Sequence, residues 1–435
     1  MASGEDHVSD QESDRGLRLG LTRRGVISGA ALLGAGAGLD HILAKSSPAA
    51  SVLGSACGSA GGVVPFYGAR QAGVATPAQD YLWFAVFDLI SDTADELRGV
   101  LEQWTEAAAL LTAGEPYQPA VQEVGQPPVD TGEAIGLGPS RLTLTIGFGP
   151  GVFGSPGGDA LGLARLRPSE LQQLPPFQGE SLDQESSGGD LCVQACADDP
   201  QVAFHAIHVF SRVASSVASL RYTQQGFGRT SSTSRIQSTP RNLMGFKDGT
   251  ENIRAEETRE MSDFVWVAPT DGPGWMIGGT YLIARRIKIL FDVWDATPLE
   301  DQQRTIGRDK LSGAPLGSNN EYDPVNLHAI NASGEPMIPA NAHIRLASPQ
   351  NNDGQRILRR GYSYSEAIEP GSGEIDAGLF FVAFQRSPQR QFIPLLRRLA
   401  ANDALNRHTL HTSSAIFACP PGTQPGGFVG EGLFA

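Results

Sequence analysis

Among the side chains able to do chemistry, the histidines separate by context. The chain has eight, and six lie beyond residue 50: His205, His208, His328, His343, His408 and His411. His205 and His208 stand three apart on a predicted helix after Pro200, a spacing that lets two imidazoles share a metal. No carboxylate or third ligand follows at a matching interval, so they read as structural. His408 and His411, between a helix and the last strand, read the same way. His343 lies in Asn341-Ala342-His343-Ile344-Arg345-Leu346-Ala347-Ser348-Pro349, a short segment ending at a turn. A neutral imidazole there could ligate haem iron if an acceptor held its second nitrogen.

Two other segments carry candidate groups. In Gly245-Phe246-Lys247-Asp248-Gly249-Thr250 the glycines let the backbone approach a flat ligand while the carboxylate points into a site. The same residues equally suit a plain tight turn. They match neither a P-loop nor a dinucleotide fingerprint, and offer too few oxygens for a calcium loop. In Arg356-Ile357-Leu358-Arg359-Arg360-Gly361-Tyr362 the adjacent arginines beside apolar residues are either one solvated and one turned to an anion, or both on the surface. Cys57, Cys192, Cys196 and Cys419 are too few for a disulfide framework. Cys192 and Cys196, four apart, share a face and read as small core residues.

The elements that position these groups follow from periodicity. Tyr81 to Leu89 is an apolar run of strand length, and Asp92 to Leu111 sets Leu97, Leu101, Trp104, Ala108 and Leu111 on one helix face. Tyr117 to Pro139, polar and rich in Pro and Gly, reads as a surface insertion. Leu142 to Ile146 alternates like a strand with one buried face, Leu191 to Ala195 is a short strand, and Val202 to Leu220 a helix. Gln224 to Arg241 reads as a connection. Beyond it, Gly279 to Ile289 is a strand and Leu299 to Ile306 a helix. Leu379 to Gln385 is a strand, Phe392 to Leu399 a helix with Phe392, Leu395, Leu396 and Leu399 inward, and Ser413 to Cys419 a strand. Two similar halves of strands and packing helices predict two α+β sandwiches side by side.

With 40% hydrophobic and 18% charged residues, the composition is globular. A net charge of −14 argues against binding nucleic acid through its phosphates. Thr22-Arg23-Arg24-Gly25-Val26-Ile27 precedes a weakly apolar stretch to Leu39, broken by Asp40 and His41. Paired arginines before such a stretch mark residues 1–50 as a twin-arginine export signal, not a membrane span. That route carries folded proteins, often with a cofactor already loaded.

In this order, the Asp248, His343 and Arg359 segments resemble the dye-decolourising peroxidases, above all a bacterial branch with exported deferrochelatase/peroxidase proteins. Further matches are Pro65-Phe66-Tyr67-Gly68 with Gln71-Ala72-Gly73, Gly147-Phe148-Gly149-Pro150, Gly189-Asp190-Leu191, Gly278-Gly279-Thr280-Tyr281, Ile306-Gly307-Arg308 and Pro420-Pro421-Gly422. The resemblance implies an α+β fold of two ferredoxin-like modules, of the dimeric α+β barrel type, at 60–225 and 240–435, the second carrying one haem b. It implies His343 as iron ligand, with Asp248 and Arg359 promoting O–O heterolysis of hydrogen peroxide while dyes, phenolics or other small organic reductants are oxidised. Gly249, Thr250, Glu251, Ser348, Pro349 and Gln350 would line the cofactor, and Asp403 would orient the imidazole. Oxidation of bulky donors could pass through Trp266, Trp275, Trp294 or Tyr322, although packing accounts for each. Implied partners are the twin-arginine translocase, an iron-uptake system and a second copy of the chain. Release of iron from haem or porphyrinogen oxidation is one alternative, and a non-enzymatic exported haem binder another. The implied location is periplasmic or extracellular.

Overall fold

The computed structural model describes residues 62–117, 125–154, 158–368 and 373–435. The twin-arginine segment and Cys57 lie outside the described residues. In the first half, β1 (Tyr81–Leu89), α1 (Ala94–Ala113), β2 (Thr143–Phe148), β3 (Leu191–Ala197), α2 (Pro200–Ala214) and β4 (Ala218–Arg229) follow in order. Thr93 caps α1 by accepting from the Glu96 N–H, and Gly114 ends it at φ 81°. Asp199 caps α2 with Pro200 in the first turn. The two helices lock through Trp104, whose ring stacks on Phe210 at 5.0 Å and whose indole N–H donates to Phe210 O at 2.9 Å.

The second half opens with α3 (Thr258–Phe264), β5 (Thr280–Ile289), α4 (Phe291–Asp295), α5 (Leu299–Ile306) and α6 (His343–Ala347). It continues with β6 (Leu358–Arg359), β7 (Tyr362–Ile368), β8 (Ile375–Gln385), α7 (Phe392–Asn402) and β9 (Thr409–Cys419). Strand order is β2-β3-β1-β4 in the first half and β9-β5-β8-β7 in the second, every pair antiparallel. Both are ferredoxin-like. The two sheets join at β4–β7, where Phe227 faces Ser363, and at β2–β9, where Phe148 faces Ala418. Because β5 also pairs with β8, the strands close into a barrel.

Closure corrects several expectations. All of β2 is buried, not one face, because Leu144, Ile146 and Phe148 meet the helices while Thr143, Thr145 and Gly147 turn into the barrel. The predicted helix Val202 to Leu220 stops at Ala214, and the predicted connection from Gln224 begins inside β4. The inward positions of β4 are Tyr222, Gln224 and Gly226, which give no apolar alternation to read. Cys192, Cys196 and Cys419 are free, buried thiols within the barrel core.

The insertion after Tyr117 is not merely surface. Asp130 is 5% exposed and accepts from the Tyr117 and Gly132 N–H groups. Glu133 lies 2.7 Å from both His205 Nδ1 and His208 Nδ1. Burial pushes the Glu133 carboxyl up, but hydrogen bonds from Thr131 and the two imidazoles outweigh it and hold it at about 2. The carboxylates missing near these histidines in sequence therefore arrive from the insertion. Among the described residues no cluster is arranged to hold a metal ion.

Candidate active site

His343 opens α6, a short helix seated against α5. The α5 C-cap, Gly307, has φ 93°, and a Cβ there would stand 2.6 Å from Ile344 Cγ1, so only glycine lets α6 this close. Asp403 caps the C-terminus of α7, and its buried carboxylate Oδ2 lies 2.6 Å from His343 Nδ1. Its other oxygen accepts from the Leu405 N–H at 2.9 Å, so the carboxylate cannot swing away. In the neutral ring Nδ1 therefore carries the proton, which leaves the lone pair on Nε2. Burial disfavours an imidazolium here, but the Asp403 charge outweighs it and raises the His343 pKa, with Asp248 adding and Arg359 opposing.

The Gly245–Thr250 turn needs left-handed backbone at Gly245 (φ 85°) and Gly249 (φ 92°). Any Cβ at Gly249 would lie 2.9 Å from Ser231 Cα. Asp248 Oδ1 accepts from Arg359 Nη1 at 2.6 Å, and Oδ2 from Asn242 Nδ2 at 3.1 Å. Asn252, 3% exposed, fixes the Arg359 backbone from both sides: its Oδ1 accepts from Arg359 N and its Nδ2 donates to Arg359 O, each at 2.8 Å. The Asn252 amide also donates to Ser232 O at 3.0 Å, tying the turn to the segment that follows β4. Neither Asn242 nor Asn252 was legible beforehand, since an Asn near a glycine carries no distinctive spacing.

Both arginines of the pair turn inward, contrary to either sequence reading. Arg359 enters the site, and Arg360, 0% exposed, donates to Thr76 O and Gln79 Oε1.

The site opens into one cavity of about 950 Å³. His343, Asp248, Arg359 and Asp403 are joined there by Gly249, Thr250, Glu251, Ser348, Pro349 and Gln350. The Thr250 hydroxyl donates to Glu321 and the Ser348 hydroxyl to Arg345 O, so both side chains are already engaged. The remaining walls are largely apolar: Ile306, Ile344, Leu379, Phe381, Leu395 and Leu399. Leu395 and Leu399, expected inward, face this space and are only half-buried. Arg308, nearly buried, also lines the cavity, 4.0 Å from Glu251.

His411 lines the same cavity, accepting from Arg285 Nε at 2.9 Å. Burial and that guanidinium push it down to about 3, so it stays neutral. His205, His208 and His408 stand elsewhere. Of the four aromatic residues weighed above as routes for electrons, Trp275 and Trp294 are buried, Trp266 is half-buried and Tyr322 is exposed.

Residues 71–228 match the family description "Dyp-type peroxidase, N-terminal", and residues 239–424 match "Dyp-type peroxidase, C-terminal". A dye-decolorizing peroxidase of Thermobifida fusca is 38% identical over 96% of this chain and 98% of its own length. A deferrochelatase of Yersinia pestis is 37% identical over 82% of this chain and 81% of its own. Among solved structures, DtpA from Streptomyces lividans, described as an oxyferrous/water mixed complex, superposes with a TM-score of 0.79. It has 37% identity and covers 86% of this chain and 98% of its own. The two matched regions, the barrel of paired ferredoxin-like sheets and the full-length relatives agree: this chain belongs to the Dyp-type peroxidase family, a family of haem-dependent oxidoreductases.

Proposed function

We propose that the chain holds one haem b on His343, reduces hydrogen peroxide, and oxidises dyes, phenolics or other small organic donors. The observation that carries this reading is one cavity containing both an imidazole fixed by Asp403 and a carboxylate–guanidinium pair, each contact 2.6 Å long. The donor set suits the cofactor: a free Nε2 for iron, apolar walls for a porphyrin plane, and buried Arg308 for its carboxylate rim. The relative described as an oxyferrous complex supports an iron-containing cofactor. When bound, haem supplies the redox centre between peroxide and donor.

The chain's own residues do the rest. Asp403 holds the Nδ1 proton, which makes His343 a stronger ligand and fixes its ring. The Asp248 carboxylate takes a proton from one peroxide oxygen and returns it to the other, so that water can leave. Arg359, permanently cationic, stabilises negative charge on the departing oxygen and aims the carboxylate.

Asp248→Asn should lower peroxide turnover of the haem-loaded protein by about 10²–10⁴-fold, the usual range for a lost proton-transfer group, and Arg359→Leu by about 10²–10³-fold, the range for a lost charge-stabilising donor. Undiminished turnover in both would end the assignment. The deferrochelatase relatives favour a second reading, release of iron from haem, which uses the same ligands. Iron-free porphyrin among the products would identify it, whereas haem retention without turnover would indicate a mere binder. Export by the twin-arginine route to the periplasm or beyond, with the translocase as partner, rests on Arg23-Arg24 and the apolar stretch behind them. Lysine at both positions should trap the protein in the cytoplasm, and normal export would refute the route.

A further inference from the structure

Reducing hydrogen peroxide to water takes two electrons, and until a donor supplies them, nearby oxidisable side chains compete. Trp294 stands directly behind the cavity wall. It is 2% exposed, and its ring meets that of Phe246 at 5.9 Å, while Phe246 and Met244 line the cavity. Lys310 Nζ lies 5.7 Å from the Trp294 ring centroid and 5.3 Å from that of Phe246.

This ammonium is held in place. It donates to Gln302 Oε1 at 2.6 Å, and buried Gln302 is itself anchored by donating to Trp294 O at 2.9 Å and Thr297 O at 3.0 Å. Gly245 leaves room for it, since a Cβ there would stand 2.8 Å from Lys310 Cε. The indole N–H donates to Met244 O at 3.2 Å, a backbone carbonyl that cannot keep the proton of an oxidised ring.

We propose that Lys310 is a positioned cation that guards Trp294 against oxidation, so that the oxidising power of peroxide is spent on an external donor. The inference rests on the peroxidase reading. Losing one electron puts a positive charge on the indole, and Lys310 repels it. At an effective dielectric of about 20, a unit charge at this distance disfavours that charge by roughly two orders of magnitude at equilibrium. Complete oxidation adds one oxygen from water to the ring and releases two electrons and two protons. These convert hydrogen peroxide to two waters, so the net change is one oxygen moved from peroxide to Trp294.

The test treats haem-loaded protein with a few equivalents of hydrogen peroxide and no donor, then maps oxygen addition by peptide mass spectrometry. Lys310→Met and Lys310→Gln should raise oxygen addition at Trp294 by about tenfold or more. Lys310→Arg, which keeps the charge, should match the wild type, and Trp104 between α1 and α2 serves as internal reference. Equal Trp294 oxidation in the wild type and both neutral variants would overturn the proposal, as would Trp294 as the most oxidised residue of the wild type. Peroxide consumption, followed in the same samples, separates the two levels. A protein that leaves peroxide untouched defeats the peroxidase reading and this inference with it, whereas consumption with unchanged Trp294 defeats the inference alone.

Discussion

Arg359 donates to Asp248 in the cavity, whereas Arg360, the next residue, is wholly buried and donates to Thr76 O and Gln79 Oε1. Substitution should therefore separate function from stability at adjacent positions. Arg359→Leu should abolish most peroxide turnover while shifting the melting temperature little. Arg360→Leu strands the buried Gln79 Oε1, while Thr76 O keeps the Thr233 hydroxyl, and should cost about 1–3 kcal/mol. Parallel thermal melts and turnover assays check this, and equal melting temperatures for the two variants would contradict it. The same pair marks a limit of sequence reading. The family resemblance named His343, Asp248 and Arg359, and the structure brings all three to one cavity, but the direction of each arginine depends on how β6 pairs with β8 and on the clamp from Asn252. Neither is encoded in local spacing.

At the scale of elements, α1 and α7 were legible because their apolar residues repeat at helical intervals. β4 was not, because its solvent face and its Tyr-Gln-Gly inner face cancel the alternation. The insertion was also misjudged, since its grip on α2 runs through ionic hydrogen bonds instead of apolar contacts. Those bonds make a pH-dependent prediction. Glu133 is held at about 2, below its unfolded value, so its contribution is fully present above about pH 4.5 and is lost as pH falls through about 2. Glu133→Gln should lower stability at pH 7 by about 1 kcal/mol, a figure kept small because the carboxylate is partly solvated. The gap between variant and wild type, read from denaturant melts, should shrink as pH approaches 2. A gap that widens in acid would contradict the latch.

Across the whole molecule, both seams of the barrel depend on glycine. A Cβ at Gly147 would stand 2.8 Å from Cys192 Sγ and 2.9 Å from Phe417 Cβ, beside the β2–β9 seam. One at Gly226 would stand 2.7 Å from Tyr362 Cβ, beside the β4–β7 seam. Gly147→Val should therefore overpack the closed barrel and cost about 1–3 kcal/mol or more. A denaturant midpoint equal to wild type would show that the seam tolerates bulk. The two-module architecture was legible from the repeated strand–helix rhythm, whereas the barrel came only with the family resemblance, because closure rests on few cross-seam pairs distant in sequence.

The account turns on His343 as the cofactor's anchor, and the most direct measurement is the visible absorption spectrum of purified, haem-loaded protein beside His343→Ala. The wild type should keep an intense band at roughly 400 nm after desalting, and the variant should lose it or shift it markedly. A colourless wild type, or an unchanged spectrum in His343→Ala, would contradict the assignment.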